Sequence, residues 1–513
     1  MADPLTVRLP SATETERLAE AVAAMTRPGD LLALEGDLGA GKTTFARALI
    51  RTLADDPGLD VPSPTFTLVQ SYDEARPPAT HADLYRIGAP EETAELGLDE
   101  AVRSGVLLVE WPEKGRGALP PAEMLRVHLA LSGEAEETRE ATLEGQGSWA
   151  PRLARLAAIR RFLDEAGWSG ARRIRIQGDA STRSYERLAR DGETAILMNS
   201  PSQPDGPPIR DGKPYSRIAH LAESVHAFVA IGRALYDAGL SAPAFLATDP
   251  DKGLLLLEDL GAEGVVTAHP PRAPVPERYE AAVEVLAAIH ARHWPEAFPF
   301  DEGTVYRVPP YDLDAFLIEA ELLLDWYLPA EPGRVPGEAE RARFRELWSR
   351  LLAEPLAGPR TLVLRDYHSP NLLWLPQREG LRRVGLLDFQ YALIGPDAYD
   401  VVSLLQDARV DVPAALEEAL LERYLELRIA ADAEFDAAAF RRRYAVLGAQ
   451  RATKILGIFR RLERRDGKPQ YLAHLPRIVD NLRRNLAHPV CAPLARWYGE
   501  ILPQAAGPAD AAA

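Results

Sequence analysis

Two groups of residues in this chain have the types and spacing that phosphate chemistry requires. The first is Gly36-Asp37-Leu38-Gly39-Ala40-Gly41-Lys42-Thr43, followed by Thr44. Glycines at this spacing let backbone N–H groups turn inward around phosphate oxygens. Lys42 then reaches the terminal phosphates, Thr43 offers a hydroxyl to Mg²⁺, and the helix start favours the anion. Three later segments carry groups suited to the same site. Ser63-Pro64-Thr65-Phe66 offers the Thr65 hydroxyl to Mg²⁺ or the γ-phosphate. His81-Ala82-Asp83-Leu84-Tyr85-Arg86 places the Asp83 carboxylate at a strand end, where it can orient water or metal. Val106-Leu107-Leu108-Val109-Glu110 ends in a carboxylate as a Walker B strand does, with Trp111 after it. Each of these three segments alone is equally compatible with a structural role.

The second group is Leu362-Val363-Leu364-Arg365-Asp366-Tyr367-His368-Ser369-Pro370-Asn371, joined 22 residues beyond Asp366 by Asp388-Phe389. Transfer of a phosphoryl group to an alcohol needs a base beside the acceptor hydroxyl and oxygen ligands for Mg²⁺ on the phosphates. Asp366 fits the base; Asn371 and Asp388 fit the metal ligands. With Asp366 in place, His368 is assigned to packing or loop bonding. Asp400 is assigned to capping a helix or bracing the loop around Asp366. Upstream, the polar stretch from Gly178 to Leu188 lies between two strand patterns, where Ser181 and Arg183 would meet ATP. Leu254 to Leu257 runs into Glu258-Asp259-Leu260-Gly261, a hinge pattern whose Glu258 and Leu260 would border adenine. The strand Ala195-Ile196-Leu197-Met198 lacks a lysine for the α- and β-phosphates. Arg183 is the expected substitute, Lys213 a weaker candidate, and Glu223 a group that would orient such a cation.

Elements must hold these groups in place. Leu31 to Glu35 is a short apolar strand before the glycine-rich turn, and Thr44 to Ala54 is helical in pattern after it. At 513 residues the chain exceeds one ordinary core. A polar, glycine-rich stretch ending at Trp149 precedes a charged helical run from Pro151 to Ala166. The expected domains are residues 1–148 and 149–505, each folding independently, with a small lobe over 152–262 and a helical lobe over 263–505. Net charge is -17, and residues 1–150 hold -13 of it. Such an acidic first domain repels bare nucleic acid, so any RNA it serves would be gripped by a partner. The single cysteine, Cys491, excludes an internal disulfide framework and fits a reducing cytoplasm. No apolar run approaches the about 18 residues that span a bilayer, and no secretion signal is expected at the N-terminus.

In order, Gly-Asp-Leu-Gly-Ala-Gly-Lys-Thr-Thr, Ser-Pro-Thr-Phe, His-x-Asp-Leu-Tyr-Arg and Glu-Trp resemble the TsaE family over about residues 5–145. TsaE is the ATPase subunit of the bacterial machinery making threonylcarbamoyladenosine in tRNA. That resemblance implies an α/β P-loop fold, a catalytically important Asp83, a Mg²⁺-holding Glu110, and a cycle of association with partner subunits. A small nucleoside-type kinase shares the P-loop but needs a substrate lid that no segment supplies. From about residue 155 to 490 the chain resembles the aminoglycoside-phosphotransferase branch of the kinase fold, an α+β bilobal architecture. Within it, Gly178–Ser181, Leu254–Gly261, Lys454–Phe459 and Arg465-Asp466-Gly467-Lys468 look most like the AmgK type. This implies phosphorylation of the anomeric hydroxyl of N-acetylmuramate and N-acetylglucosamine in cell-wall recycling, with ATP and Mg²⁺. The alternatives are a kinase for an antibiotic, choline or another small alcohol, or a nucleotide-binding module without catalysis. The intact Asp366, Asn371 and Asp388 argue against the last.

Overall fold

The computed structural model describes residues 4–503, apart from 89, 116–118, 121, 133–136, 177–182, 203–204, 222–223, 302 and 331–333. The chain opens with β1 (Leu5–Leu9), α1 (Ala12–Ala23), β2 (Asp30–Glu35) and α2 (Lys42–Ala54). It continues through β3 (Val69–Tyr72), β4 (Ala79–Asp83), α3 (Pro90–Ala94), α4 (Leu98–Ser104), β5 (Val106–Glu110), β6 (Glu123–Leu131) and β7 (Arg139–Gly145). These strands form one seven-stranded sheet in the order β1-β7-β6-β2-β5-β4-β3. β2 runs parallel to both β5 and β6 at its centre. Its apolar run suits that place, because both faces are covered: Leu32 and Leu34 join one buried cluster, Leu31 and Ala33 the other. The turn leaving β2 therefore emerges where the strand order diverges, the usual ligand position of an open α/β sheet.

α5 (Trp149–Glu165) follows, then β8 (Arg172–Ile176), β9 (Ser184–Arg190) and β10 (Glu193–Asn199). The chain next forms β11 (Pro208–Arg210), β12 (Lys213–Pro214), α6 (Tyr215–Ile218) and α7 (His226–Asp237). It then returns with β13 (Phe245–Asp249) and β14 (Leu254–Glu258) to complete a five-stranded sheet ordered β13-β14-β10-β9-β8.

Two compact units result, and they differ from the expected division at residue 148. One comprises Met1–Ser200 with Leu246–Leu257, the other Pro201–Phe245 with Glu258–Ala513. The physical reason is α5. Its Trp149, Leu153 and Leu156 lie in the core of the seven-stranded sheet, whereas Ile159, Phe162 and Leu163 lie in the core of the five-stranded one. Met25 packs against both cores. Arg152 fixes the helix with two bonds to buried Asp30, at 2.6 and 2.7 Å, and a third to the Met25 carbonyl at 2.9 Å. The strands expected in a small lobe over 152–262 are thus packed with the first domain, and residues 201–245 with the second unit.

The second unit is mainly helical: α8 (Pro276–Ala291), α9 (Leu313–Ala320), α10 (Glu338–Ala357), α11 (Tyr399–Leu405), α12 (Ala414–Ala431), α13 (Ala437–Asp466), α14 (Leu475–Leu486) and α15 (Ala492–Ile501). Short strands sit among them: β15 (Ala297–Asp301), β16 (Thr304–Arg307), β17 (Arg360–Val363), β18 (Leu372–Trp374), β19 (Val384–Leu386) and β20 (Leu393–Pro396). β17 pairs with β20, and β18 with β19. No helix among the described residues is long and apolar enough to cross a membrane.

Candidate functional sites

In the first unit, the loop between β2 and α2 needs its glycines for geometry. Gly36 has φ of 134°, and a Cβ there would lie 2.1 Å from the Leu129 carbonyl oxygen. Gly41, φ 105°, caps α2, so Lys42 begins the helix. Lys42 is buried; its ammonium donates to the Gly36 and Asp37 carbonyls at 2.7 and 2.9 Å and lies 3.8 Å from the centre of the Trp111 ring. Burial pushes its pKa down, while Glu110, Glu113, Asp83 and Asp37 pull the other way. A desolvated cation held by two backbone carbonyls could exchange them for phosphate oxygens. Ala40 is buried and Leu38 points out, 78% exposed.

Parallel pairing sets Asp83 of β4 beside Glu110 of β5. Thr43 donates to Glu110 Oε1 at 2.8 Å, and His81 Nε2 lies 3.0 Å from the same oxygen. Asp83 accepts from Thr65 at 2.8 Å, Ser63 at 3.2 Å and the Tyr85 amide at 2.9 Å. The segments that were individually ambiguous thus converge on two carboxylates, each only 3% exposed, at the mouth of the phosphate loop. Two contributors escaped the sequence reading. His81 belongs to the His-x-Asp motif, and period-2 alternation places it on the face of β4 that carries Asp83, opposite Ala82. Arg139 of β7 donates to the Ala40 and Gly39 carbonyls, at 3.0 and 3.4 Å, a contact spanning about a hundred residues that no local pattern reveals.

In the second unit, the β18–β19 hairpin brings Asn371, just before β18, to the end where Asp388 follows β19. The Asn371 side-chain amide donates to the Asp366 backbone carbonyl at 2.9 Å, and the Asn371 backbone carbonyl accepts from Leu387 N–H at 2.9 Å. Asp388 adopts a left-handed conformation, φ 56°, and accepts from Gln390 at 2.8 Å. Asp400, fully buried, accepts from the Leu364 and Arg365 amides at 2.5 and 2.8 Å. Burial raises its pKa to about 7 against the pull of those two bonds, with Asp366 adding to the rise. Asp407 holds the other side of the loop by accepting from Ser369 N–H at 2.8 Å. His368 is held below the usual imidazole range by burial.

The hinge residues Glu258 and Leu260 lie in this unit. The Glu258 carboxylate pairs with Arg378 and accepts from the Ala244 amide at 3.2 Å. Leu260 is buried, within reach of a Cβ built on Gly385 of the β18–β19 hairpin. Arg183 stands at the entry to β9 in the first unit, and Lys213 is exposed in β12 of the second. Ser181 and Glu223 fall outside the described residues. Behind the Asp366 loop is a buried network that the sequence did not disclose. Glu319 pairs with Arg365, accepts from Lys454 at 2.8 Å and from the Tyr311 hydroxyl at 2.6 Å. Lys454 also meets the Tyr399 hydroxyl at 3.2 Å. Burial alone would raise the Glu319 pKa, but Arg365 and Lys454 outweigh it and hold the group at about 2.

Among the described residues no cluster of three or more His, Cys, Asp or Glu could hold a metal by itself. Thr43 with Glu110, and Asn371 with Asp388, each offer two oxygen ligands. That suits Mg²⁺, which takes one or two protein oxygens and completes its shell with phosphates and water.

The fold and sites together define a P-loop ATPase joined to a kinase-fold phosphotransferase. The family model for threonylcarbamoyl adenosine biosynthesis protein TsaE matches residues 9–141, and that of the phosphotransferase enzyme family (APH) matches residues 173–441. The N-acetylmuramate/N-acetylglucosamine kinase of Caulobacter vibrioides is 39% identical over 68% of this chain and 97% of its own length. The kinase of the same description from Pseudomonas aeruginosa is 34% identical over 66% of this chain and 90% of its own. The tRNA threonylcarbamoyladenosine biosynthesis protein TsaE of Bacillus subtilis is 41% identical over 26% of this chain and 82% of its own. The chain belongs to both families, TsaE through its first part and the phosphotransferase enzyme family, in an AmgK-like form, through its second.

Proposed function

We propose that the first domain hydrolyses Mg·ATP in support of tRNA threonylcarbamoylation, and that the second transfers the γ-phosphoryl group of ATP to the anomeric hydroxyl of N-acetylmuramate or N-acetylglucosamine. The observation that carries the second reading is the convergence of Asp366, Asn371 and Asp388 in a chain that spans nearly all of a relative described as that sugar kinase. In this reading the Asp366 carboxylate orients the acceptor hydroxyl and takes its proton as the oxygen–phosphorus bond forms; ADP leaves. Asn371 and Asp388 would hold Mg²⁺, which neutralises charge on the phosphates. Arg183 and Ser181 would contact the phosphates, and Glu258 and Leu260 would border the base. In the ATPase, Lys42 would bind the terminal phosphates, Thr43 and Glu110 would hold the metal, and Asp83 would orient water. The partners would be the other subunits of the threonylcarbamoyl-transfer complex, with tRNA met through them, and the compartment the cytoplasm.

Acceptor-dependent ADP release over a panel of amino sugars, aminoglycosides and choline tests the kinase. Amino sugars should be preferred, with ³¹P–¹H coupling placing phosphate on the anomeric oxygen; phosphate on another hydroxyl, or preference for an antibiotic or choline, overturns the acceptor. Lys42→Ala should abolish partner-stimulated ATP hydrolysis and leave sugar phosphorylation nearly unchanged. Equal loss of both activities would mean one shared nucleotide site.

A further inference from the structure

Within the first unit, α1, the far end of α5 and the start of β8 wall a cavity of about 410 Å³. Arg8, Arg17, Arg160 and Arg173 line it, against the carboxylates of Glu14 and Asp164. Three of the arginines are engaged: Arg17 donates to Glu14 at 2.6 Å, Arg173 makes two bonds to Glu186, at 2.6 and 2.9 Å, and Arg8 also has a partner. Arg160 differs. It has no hydrogen bond or ion pair among the described residues, and burial disfavours its charge, with Asp164 and Glu14 compensating at a distance and Arg173 opposing them. A guanidinium does not shed its proton in a protein, so the imbalance persists as charge that an entering anion would relieve. Trp168, itself carrying Arg190 over its ring at 5.1 Å, gives one apolar wall.

We propose that this cavity binds a small molecule bearing a phosphate monoester or diphosphate. Guanidinium groups present paired donors that match phosphate oxygens, and several converging on one cavity favour a multiply charged group over a lone carboxylate. The volume holds more than one phosphate and leaves Trp168 for the body of the ligand. The site draws on residues from both sides of the boundary between the two families. Glu14 and Arg17 lie in the TsaE match and Arg173 in the phosphotransferase match, while Arg160 and Trp168 lie between the two, in the segment neither covers. A ligand there touches the packing of α1 and α5 at once. The proposal rests on the cavity alone and stands whichever sugar the kinase takes.

Hydrogen exchange of the full chain carrying Lys42→Ala, with inorganic pyrophosphate and glucose 1-phosphate as separate probes, tests it. At least one probe should slow exchange in peptides covering residues 8–21 and 160–173, saturably. Pyrophosphate alone points to a nucleotide-like source, and both probes to a sugar phosphate. Arg160→Gln and, on an exposed residue, Arg8→Gln should each weaken that protection about tenfold in apparent Kd, the scale of a charge-assisted bond. Should Arg160→Gln fail to fold by circular dichroism, Arg8→Gln decides alone. Protection by neither probe, protection confined to other peptides, or protection indifferent to the variants overturns the site.

Discussion

Asp366 and Asp388 are both carboxylates on loops beside short strands, yet their surroundings ask different things of them. The Asp366 backbone is fixed by Asn371, and the amides just before it by Asp400. Its backbone is thereby held by its loop, which suits the base proposed for the acceptor hydroxyl. Asp388 is held in a left-handed backbone and turned by Gln390. Asp366→Asn should therefore lower kcat by about 10²–10⁴-fold with little change in nucleotide affinity, whereas Asp388→Asn should raise the KM for Mg·ATP. Steady-state kinetics separates the two; an Asp366→Asn enzyme with full turnover means the base is misassigned. Glu319 acts on stability instead. Its pKa is depressed to about 2 from an ordinary 4.5, so its contribution is complete above about pH 4.5 and is lost as pH falls toward 2. Glu319→Gln leaves Arg365 and Lys454 buried without their counter-charge, which should cost about 3–5 kcal/mol at pH 7. In urea unfolding the gap between wild type and variant should narrow below about pH 4.5 and close toward pH 2; an equal midpoint at pH 7 would show the network contributes nothing.

At the scale of elements, what was legible followed chain proximity. The phosphate loop could be read because strand, glycines, lysine and helix are contiguous, and Asp366, Asn371 and Asp388 because one hairpin separates them. The convergence of Ser63, Thr65 and Asp83 needed the order of parallel strands, which sequence spacing does not contain. α5 shows the limit most clearly. Trp149, Leu153, Leu156, Ile159 and Leu163 follow helical spacing, which marks a buried stripe but not which core buries it. Between two sheets, one stripe serves both. The Arg152–Asp30 pair is equally invisible locally, since its members stand 122 residues apart. Because Asp30 is only 1% exposed, Arg152→Ala should leave an unpaired buried carboxylate and destabilise the protein by about 3–5 kcal/mol. Arg161→Ala, on an exposed side of the same helix, should change little by comparison. Thermal unfolding checks both, and equal melting of the two variants would place the pair among the ornamental ones.

At the scale of the molecule, the two activities are divided along the chain in a different way from its packing. A P-loop domain ending at residue 147 retains every phosphate-site residue but loses Trp149, Leu153 and Leu156 from its core, and loses Arg152 from Asp30. Burying each large apolar side chain is worth about 1.5–3 kcal/mol, and a broken buried pair costs about 3–5 kcal/mol. Together these losses rival the whole margin of about 5–15 kcal/mol that holds a domain folded. The five-stranded sheet cannot be cut free either, because β13 and β14 return to it after about 45 residues spent in the second unit. The fragment 1–147 should therefore have weak near-UV circular dichroism and a broad thermal transition, although its nucleotide residues are complete. Extending it to residue 166 restores α5 and its bonds to Asp30, at the expense of exposing Ile159, Phe162 and Leu163, which then face no second core. That longer fragment should unfold cooperatively at a higher temperature than 1–147 while tending to self-associate, visible as an oligomer on sizing. Should 1–147 melt as sharply and at the same temperature as 1–166, α5 would be a linker resting on the ATPase, and the expected independence of the two halves at residue 148 would stand after all.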